Sequence, residues 1–314
     1  MLLRPVGVRV AVAVVLASLV ASGCASDGDG AADKAARTIV IGSRPQPESV
    51  MVANMYAGAL QNEGYQVTVR KRLGQLEILL PALQKGGGDN GIDLSPEYVG
   101  TLLEFVNKNA GEANGNLDAS VATLRTRLDA IGLSALDPSP ATNQQAFAVT
   151  RKTAERLRAA KLSDLVPVAG ELTLGAPPDC PARPSCAPGL ETTYGLKFKA
   201  VRPLDSCETG ARTLDALSVE EIDVGLVCST DGGVAVRNLV VLEDDKKLQT
   251  VGNIIPALRK DIVDKDIKKV LNKVSRELKT VDLVELNRRV IVEKADPEAL
   301  AAEWLQGHGF TKKK

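Results

Sequence analysis

The sequence predicts an α/β protein large enough for two lobes. Short apolar runs alternate with segments of helical spacing from Thr38 onward, the pattern of α/β layers with largely parallel sheets. A chain of 314 residues fits two lobes, each with its own core. The composition is 44% hydrophobic and 25% charged, with 39 basic and 39 acidic residues. That balance excludes a disordered chain, a collagen-like chain and a supercharged nucleic-acid binder. The unusual count is aromatic: four Tyr, four Phe and one Trp. Such scarcity argues against single-strand nucleic-acid binding, which needs stacking platforms, and it constrains any small-molecule pocket.

The elements follow in order. Thr38 to Ser43 reads as a strand ending in a Gly turn. Pro47 to Asn62 has helical spacing, and Gly64 stops it. Gln66 to Arg70 is a second strand, Gln75 to Lys85 a helix ended by three glycines, and Ile92 to Leu94 a third strand. Helices follow near Gly100 and over Asp118 to Ala130. In the second half, Phe147 to Val149 is a strand and Thr153 to Ala160 a helix. Leu172 to Gly175, Lys199 to Pro203, Ile222 to Val227 and Leu239 to Leu242 are further strands. The last fifty or so residues are helical, and Asp296-Pro297 marks a helix start by placing a capping residue before Pro. No internal repeat occurs.

The N-terminus reads as an address. Arg4 and Arg9 precede the apolar run Val10 to Val20, too short to span a bilayer comfortably. Ala21-Ser22-Gly23-Cys24 resembles the bacterial lipoprotein box, in which the Cys is acylated and becomes the new N-terminus. Residues 1–23 are therefore expected to be a signal peptide and Cys24 a lipid anchor. Residues 24–37, small and Gly/Asp-rich, are expected to be a flexible tether. Loss of Arg4 and Arg9 leaves 37 basic and 39 acidic residues. Four other cysteines remain, and an even count outside the cytoplasm favours disulfides, with three pairings open. Cys180 and Cys186 enclose a short loop that a local bridge could staple. Cys207 and Cys228 lie near strand ends and could pair across neighbouring strands. The spacings do not suit zinc, and the single His308 is remote.

Several motifs then occur in one order: Ile39-Val40-Ile41-Gly42-Ser43; Asp93 to Thr101 (DLSPEYVGT); Leu136-Asp137-Pro138; Tyr194-Gly195-Leu196; Asp205-Ser206; Ser229-Thr230-Asp231-Gly232; Val240 to Lys246; and Arg259-Lys260-Asp261. Together they resemble the substrate-binding lipoproteins of osmoprotectant ABC importers, the glycine betaine, choline and carnitine binders. The resemblance covers about Thr38 to Phe310. It implies a periplasmic-binding-protein fold: two α/β lobes joined by two crossing segments, with the ligand cleft between them. By analogy the first lobe takes 38–140 and 247–314, and the second takes 141–246. Crossings would lie near Leu136-Asp137-Pro138 and Glu243-Asp244-Asp245. It further implies no cofactor, no enzymatic activity, and as partners a small ligand and an ABC permease with its ATPase subunits. The expected state is a monomer outside the cytoplasm, anchored to the membrane through Cys24, with no nucleic acid bound.

Loops between strand ends and helix starts carry the sites of open α/β sheets. Ser43, Arg44, Gln46 and Glu48 lie on the first such loop. Ser43 and Gln46 suit ligand contact or turn chemistry equally. Arg44 could meet a ligand carboxylate or be a solvated charge, and Glu48 reads as a first-turn partner of the helix dipole. The resemblance implies that Tyr98 belongs to a cage for a cationic headgroup and that the Thr101 hydroxyl contacts a carboxylate; both roles are chemically sound. The rest of that cage departs from the family pattern. Gln145 and Cys228 stand where rings are usual, and Cys207-Glu208-Thr209-Gly210 has no Tyr. The expected ligand-binding set is Ser43, Gln46, Tyr98, Thr101, Asn143, Gln145, Asp205 and Thr230, holding either a family osmoprotectant or a polar, hydroxylated ligand.

Two other classes remain for comparison. A hydrolase would want a nucleophile beside a His and a carboxylate, yet His308 stands alone near the C-terminus and no G-x-S-x-G occurs. Paired-carboxylate chemistry has no motif here. An envelope lipoprotein acting through protein contacts would lack a pocket. The Lys312 to Lys314 tail reads as solvated.

Overall fold

The computed structural model describes residues 38–205 and 211–310. The chain runs β1 (Thr38–Gly42), α1 (Pro47–Asn62), β2 (Gln66–Arg70), α2 (Leu76–Lys85), β3 (Leu94–Tyr98), α3 (Val99–Val106), α4 (Leu117–Asp129) and β4 (Leu133–Ala135). Next come β5 (Gln145–Thr150), α5 (Arg151–Leu157), β6 (Thr173–Ala176), β7 (Ala200–Pro203), α6 (Ala211–Ser218), β8 (Val224–Cys228), α7 (Gly232–Val236) and β9 (Leu239–Leu242). It then returns through β10 (Ile254–Arg259) and ends in α8 (Lys265–Glu277), α9 (Thr280–Val292) and α10 (Pro297–Gly307).

The strands form two five-stranded sheets, β2-β1-β3-β10-β4 and β7-β6-β8-β5-β9. Each is buried on both faces. Along β1, Ile39 and Ile41 pack with Met51, Met55 and Tyr56 of α1 and with Leu271 and Trp304 from the C-terminal helices. Val40, pointing the other way, packs with Leu79, Leu83, Leu102 and Leu124. In the second sheet Phe147 and Val149 join Leu162, Leu165 and Tyr194 on one face, while Ala146 and Ala148 join Leu214, Leu217 and Ile222 on the other. Asp296 caps its helix as expected, accepting from the Ala299 N–H, and Asp264 caps α8 by accepting from the Ile267 N–H.

The sheets are largely parallel, as expected, with one reversed strand in each. β10 runs antiparallel to β3 and β4, and β5 runs antiparallel to β8 and β9. The cause is the crossing itself. A strand entering from the other lobe arrives at the carboxyl ends of the parallel strands and must run against them: Gln145 opens β5 opposite Cys228, and Ile254 opens β10 opposite Tyr98. β4 and β10 had no counterpart among the expected strands. The third strand lies at Leu94–Tyr98 instead of Ile92–Leu94, so Tyr98 ends a strand and Val99 opens the helix.

The two segments between the sheets, 136–144 and 243–253, pair with each other. Thr142 bridges Asn253, the Asn143 N–H donates to the Gly252 carbonyl at 2.8 Å, and the Asn253 amide donates to the Ser139 carbonyl at 2.9 Å. Gly252 is required here, since a Cβ would lie 2.1 Å from the Asn143 oxygen. Cys180 and Cys186 are bridged, closing the expected loop. Cys228 is disulfide-bonded, and its expected partner Cys207 lies outside the described residues. So do the signal segment 1–23, Cys24, the tether and the Lys312 to Lys314 tail.

Candidate functional site

A cavity of about 770 Å³ opens between the two sheets. Its walls come from the β1–α1 loop, the β3–α3 junction, the crossings, the carboxyl end of β8, the loop before α7, the stapled Cys180–Cys186 loop and helix α9. Six of the expected residues line it: Gln46, Tyr98, Thr101, Asn143, Gln145 and Thr230. Two do not. Ser43 is buried beneath the loop, where its hydroxyl accepts from the Arg72 N–H at 3.0 Å. Asp205 lies beside α6 and accepts from the Arg212 N–H at 3.4 Å. Turn chemistry uses the first side chain and helix-end chemistry the second.

The centre of the site is a residue read from sequence only as a dipole partner. Glu48, 4% exposed, accepts four hydrogen bonds. Tyr98 Oη donates to Oε1 at 2.5 Å and Asn143 Nδ2 to Oε1 at 3.0 Å. Thr230 Oγ1 donates to Oε2 at 2.7 Å and Asn287 Nδ2 to Oε2 at 2.6 Å. These fill the roughly four acceptor positions of a carboxylate. They also join the first sheet, a crossing, the loop after β8 and helix α9 at one group. First-turn position predicted a carboxylate at Glu48, but donors brought from residues 98, 143, 230 and 287 are invisible to local reading. Asn287 was missed for the same reason.

Arg44 is neither solvated nor exposed. It is 5% exposed, its Nε lies 3.5 Å from Glu97 Oε2, and its guanidinium sits 5.9 Å from the centre of the Tyr98 ring. Tyr98 therefore already offers one face to a cation of the protein and its hydroxyl to Glu48. Burial and the neighbouring Glu48 carboxylate hold the Tyr98 phenol well above its ordinary range. Burial likewise raises Glu97, against the opposing pull of Arg44 and the hydroxyl of Ser95. Asp231, at the start of α7, is raised by burial as well.

Gln145 and Cys228 face each other across the β5–β8 ladder. Both line the cavity, so the two ring-less positions form one continuous stretch of wall, built from an amide and a disulfide sulfur. Asn143 Oδ1 and Gln145 Oε1 are buried without a hydrogen-bond partner. His308 is far from these groups in role: its ring stacks on Trp304 at 4.2 Å, and its Nδ1 lies 2.8 Å from the Trp304 carbonyl. Among the described residues no group of three or more His, Cys, Asp or Glu could hold a metal ion, and no helix is long and apolar enough to cross a membrane.

Residues 37–307 match the family of substrate-binding domains of ABC-type glycine betaine transport systems. The chain belongs to this family. Its members are solute receptors of ABC importers, extracytoplasmic proteins that bind small molecules and work with a membrane permease; the family is not an enzyme class. A glycine-betaine-binding protein of Pseudomonas aeruginosa is 28% identical over 288 residues, 87% of this chain and 88% of that one. A carnitine transport binding protein of Listeria monocytogenes is 25% identical, over 95% of each chain. The crystal structure of a glycine betaine/carnitine/choline ABC transporter component gives a TM-score of 0.78 at 25% identity, covering 87% of this receptor and 99% of that chain. The two-lobe fold with a cleft between the lobes is thus the family fold, and the protein is the substrate-binding component of an importer of this kind.

Proposed function

We propose that the receptor captures an osmoprotectant-type small molecule, of the glycine betaine, choline and carnitine class, in the cavity between its lobes and delivers it to the permease and its ATPase subunits. The lobes in this reading are 38–140 with 247–314, and 141–246, hinged at the paired crossings. Gln46, Tyr98, Thr101, Asn143, Gln145 and Thr230 form the binding set. Ser43 and Asp205 support the loops behind it. The protein works as a monomer without enzymatic activity or cofactor, held to the outer face of the cell membrane by acylated Cys24 after loss of residues 1–23. The observation that carries the reading is the cavity itself, with those six side chains on its walls and Glu48 tying its parts together.

A second reading keeps the scaffold and changes the ligand to a polar or hydroxylated molecule without a quaternary ammonium. It is favoured by Gln145 and Cys228 in place of rings, and by Arg44 against Tyr98. A quaternary ammonium has no N–H to offer, whereas the buried Asn143 and Gln145 oxygens seek a donor. Calorimetric titration of the tether-truncated protein with glycine betaine, choline and carnitine decides. Tight binding of any of them supports the first reading. Silence toward all three, with binding of an amino or hydroxy acid, supports the second, and silence toward a broad ligand screen points to an envelope lipoprotein that acts through protein contacts.

A further inference from the structure

We infer that Asp231 is a specificity-determining residue: its carboxylate, with the side-chain oxygens of Asn143 and Gln145, holds a ligand ammonium that carries N–H groups. The inference deepens the second reading above, on which it rests, by naming the group that reads the ligand cation where rings are absent.

The three side chains share one stretch of wall. Asn143 and Gln145 lie two residues apart where the crossing enters β5, and both reach the cavity. Gln145 faces Cys228 across the ladder, and the Asp231 N–H donates to the Cys228 carbonyl at 3.1 Å. Cys228 and Asp231 line the cavity as well.

What these groups offer is acceptors. A carboxylate can only accept, so Asn143 must turn its NH2 toward Glu48, which leaves its Oδ1 to spare. That Oδ1 and Gln145 Oε1 are buried without a hydrogen-bond partner. The Asp231 carboxylate has roughly four acceptor positions, and among the described residues one donor reaches it, the Gly233 N–H at 2.8 Å. The other acid on the cavity wall, Glu48, is filled by its four donors. Arg237, whose charge Asp231 feels, spends two bonds on Asp215. Among the described residues Asp231 is thus a half-buried acid without an ion-pair partner, an arrangement that costs free energy until a cation arrives.

An aromatic cage and an acceptor wall read different cations. A ring face attracts any positive charge and needs no hydrogen from it. Oxygens that the protein leaves unpaired need N–H donors, and a quaternary ammonium has none. Its methyl groups would also hold the positive centre away from the carboxylate. Sites built to hydrogen-bond a ligand reject the analogue that lacks the donor. The receptor should therefore prefer a primary or secondary ammonium, and each methyl that replaces an N–H should cost affinity.

The test titrates the tether-truncated protein, as wild type and as Asp231→Asn, with a methylation series that keeps the carboxylate constant: glycine, sarcosine, dimethylglycine and glycine betaine. Asn at this position can still accept from the Gly233 N–H, so the substitution removes charge and keeps the helix start. Wild type is expected to bind sarcosine about tenfold or more tightly than glycine betaine. Asp231→Asn is expected to lose about tenfold for sarcosine and to leave glycine betaine within about twofold, which flattens the series. Glycine betaine binding as tightly as its N–H analogues overturns the inference and leaves the quaternary-ligand reading standing. A preference for N–H analogues that survives in Asp231→Asn overturns the role of Asp231 and leaves the second reading standing. Silence toward the whole series overturns the inference, and the broad ligand screen then decides the reading on which it rests. Should Asp231→Asn misfold, the side-chain carboxyl carbon resonance of Asp231 in the wild-type protein serves. It should move with sarcosine and far less with the same concentration of glycine betaine, and an equal response overturns the inference.

Discussion

The two sheets share one strand order and differ in what they bring to the cavity. In each, three parallel strands are followed by the strand that has just crossed, then by an edge strand. Yet the first-sheet side turns its charged groups toward one another, although Arg44 Nε and Glu97 Oε2 make no hydrogen bond. Glu48 gathers four donors, and Arg44 lies between Glu97 and the Tyr98 ring. The second-sheet side keeps polar atoms in reserve, among them Gln145 Oε1 and the Nε–Nη2 edge of Arg183. One half of the site thus acts as a joint and the other as a reader. A shared topology fixes where a wall stands and leaves its chemistry to the loops.

Removing the joint should have the largest effect. Glu48→Ala leaves Tyr98, Asn143, Thr230 and Asn287 without their common acceptor. A loss of about 3–5 kcal/mol in urea unfolding is expected, with weakened binding of every ligand alike. If Glu48→Ala unfolds like wild type, the network is incidental and the contrast between the two walls collapses. Next comes the reader. Cys180→Ser with Cys186→Ser should cost about 2 kcal/mol through the freed loop. Unlike Glu48→Ala, it should leave the Glu48 network intact and weaken binding through a loosened cavity wall. Unchanged affinity would show that the staple serves stability alone.

The smallest effect concerns proton balance. Glu97 titrates above the ordinary carboxylate value of 4.5 because it is buried. The folded state therefore holds its proton to higher pH than the unfolded chain does. The sign follows: stability falls as pH rises from about 4.5 through the raised folded value, the interval in which the unfolded state has already released the proton. Glu97→Gln should flatten that part of a denaturant-midpoint profile. An unchanged slope would place the pH response elsewhere.

The fold was legible in sequence where periodicity is local. The bounds of α1 and β2 were matched from hydrophobic spacing, Pro47 and Gly64, and Asp296-Pro297 marked α10. β10 escaped notice because Ile254 to Arg259 is strand only by its slot between β3 and β4, a relation set by distant residues. The site followed the same divide. Loop position named Gln46, and the family resemblance named Tyr98, Thr101, Asn143, Gln145 and Thr230. Glu48 was seen but misjudged, since a first-turn carboxylate has an ordinary local explanation and its four donors come from far along the chain. Arg183, inside a loop noticed for its cysteines, also lines the cavity, a placement set by how the loop packs against distant residues.

The slot of β10 also governs the order in which the molecule can be assembled. Among the described residues β4 pairs only with β10, and β3 presents one bare edge until β10 arrives. During synthesis the first 135 residues thus emerge with an incomplete sheet, which waits through the whole of the second sheet for Ile254–Arg259. Pairings of such long sequence separation are slow to close, and an unfilled strand edge is open to wrong partners meanwhile. A chain exported before that strand is in place would reach the membrane unfolded, the form in which a secretory channel can accept it.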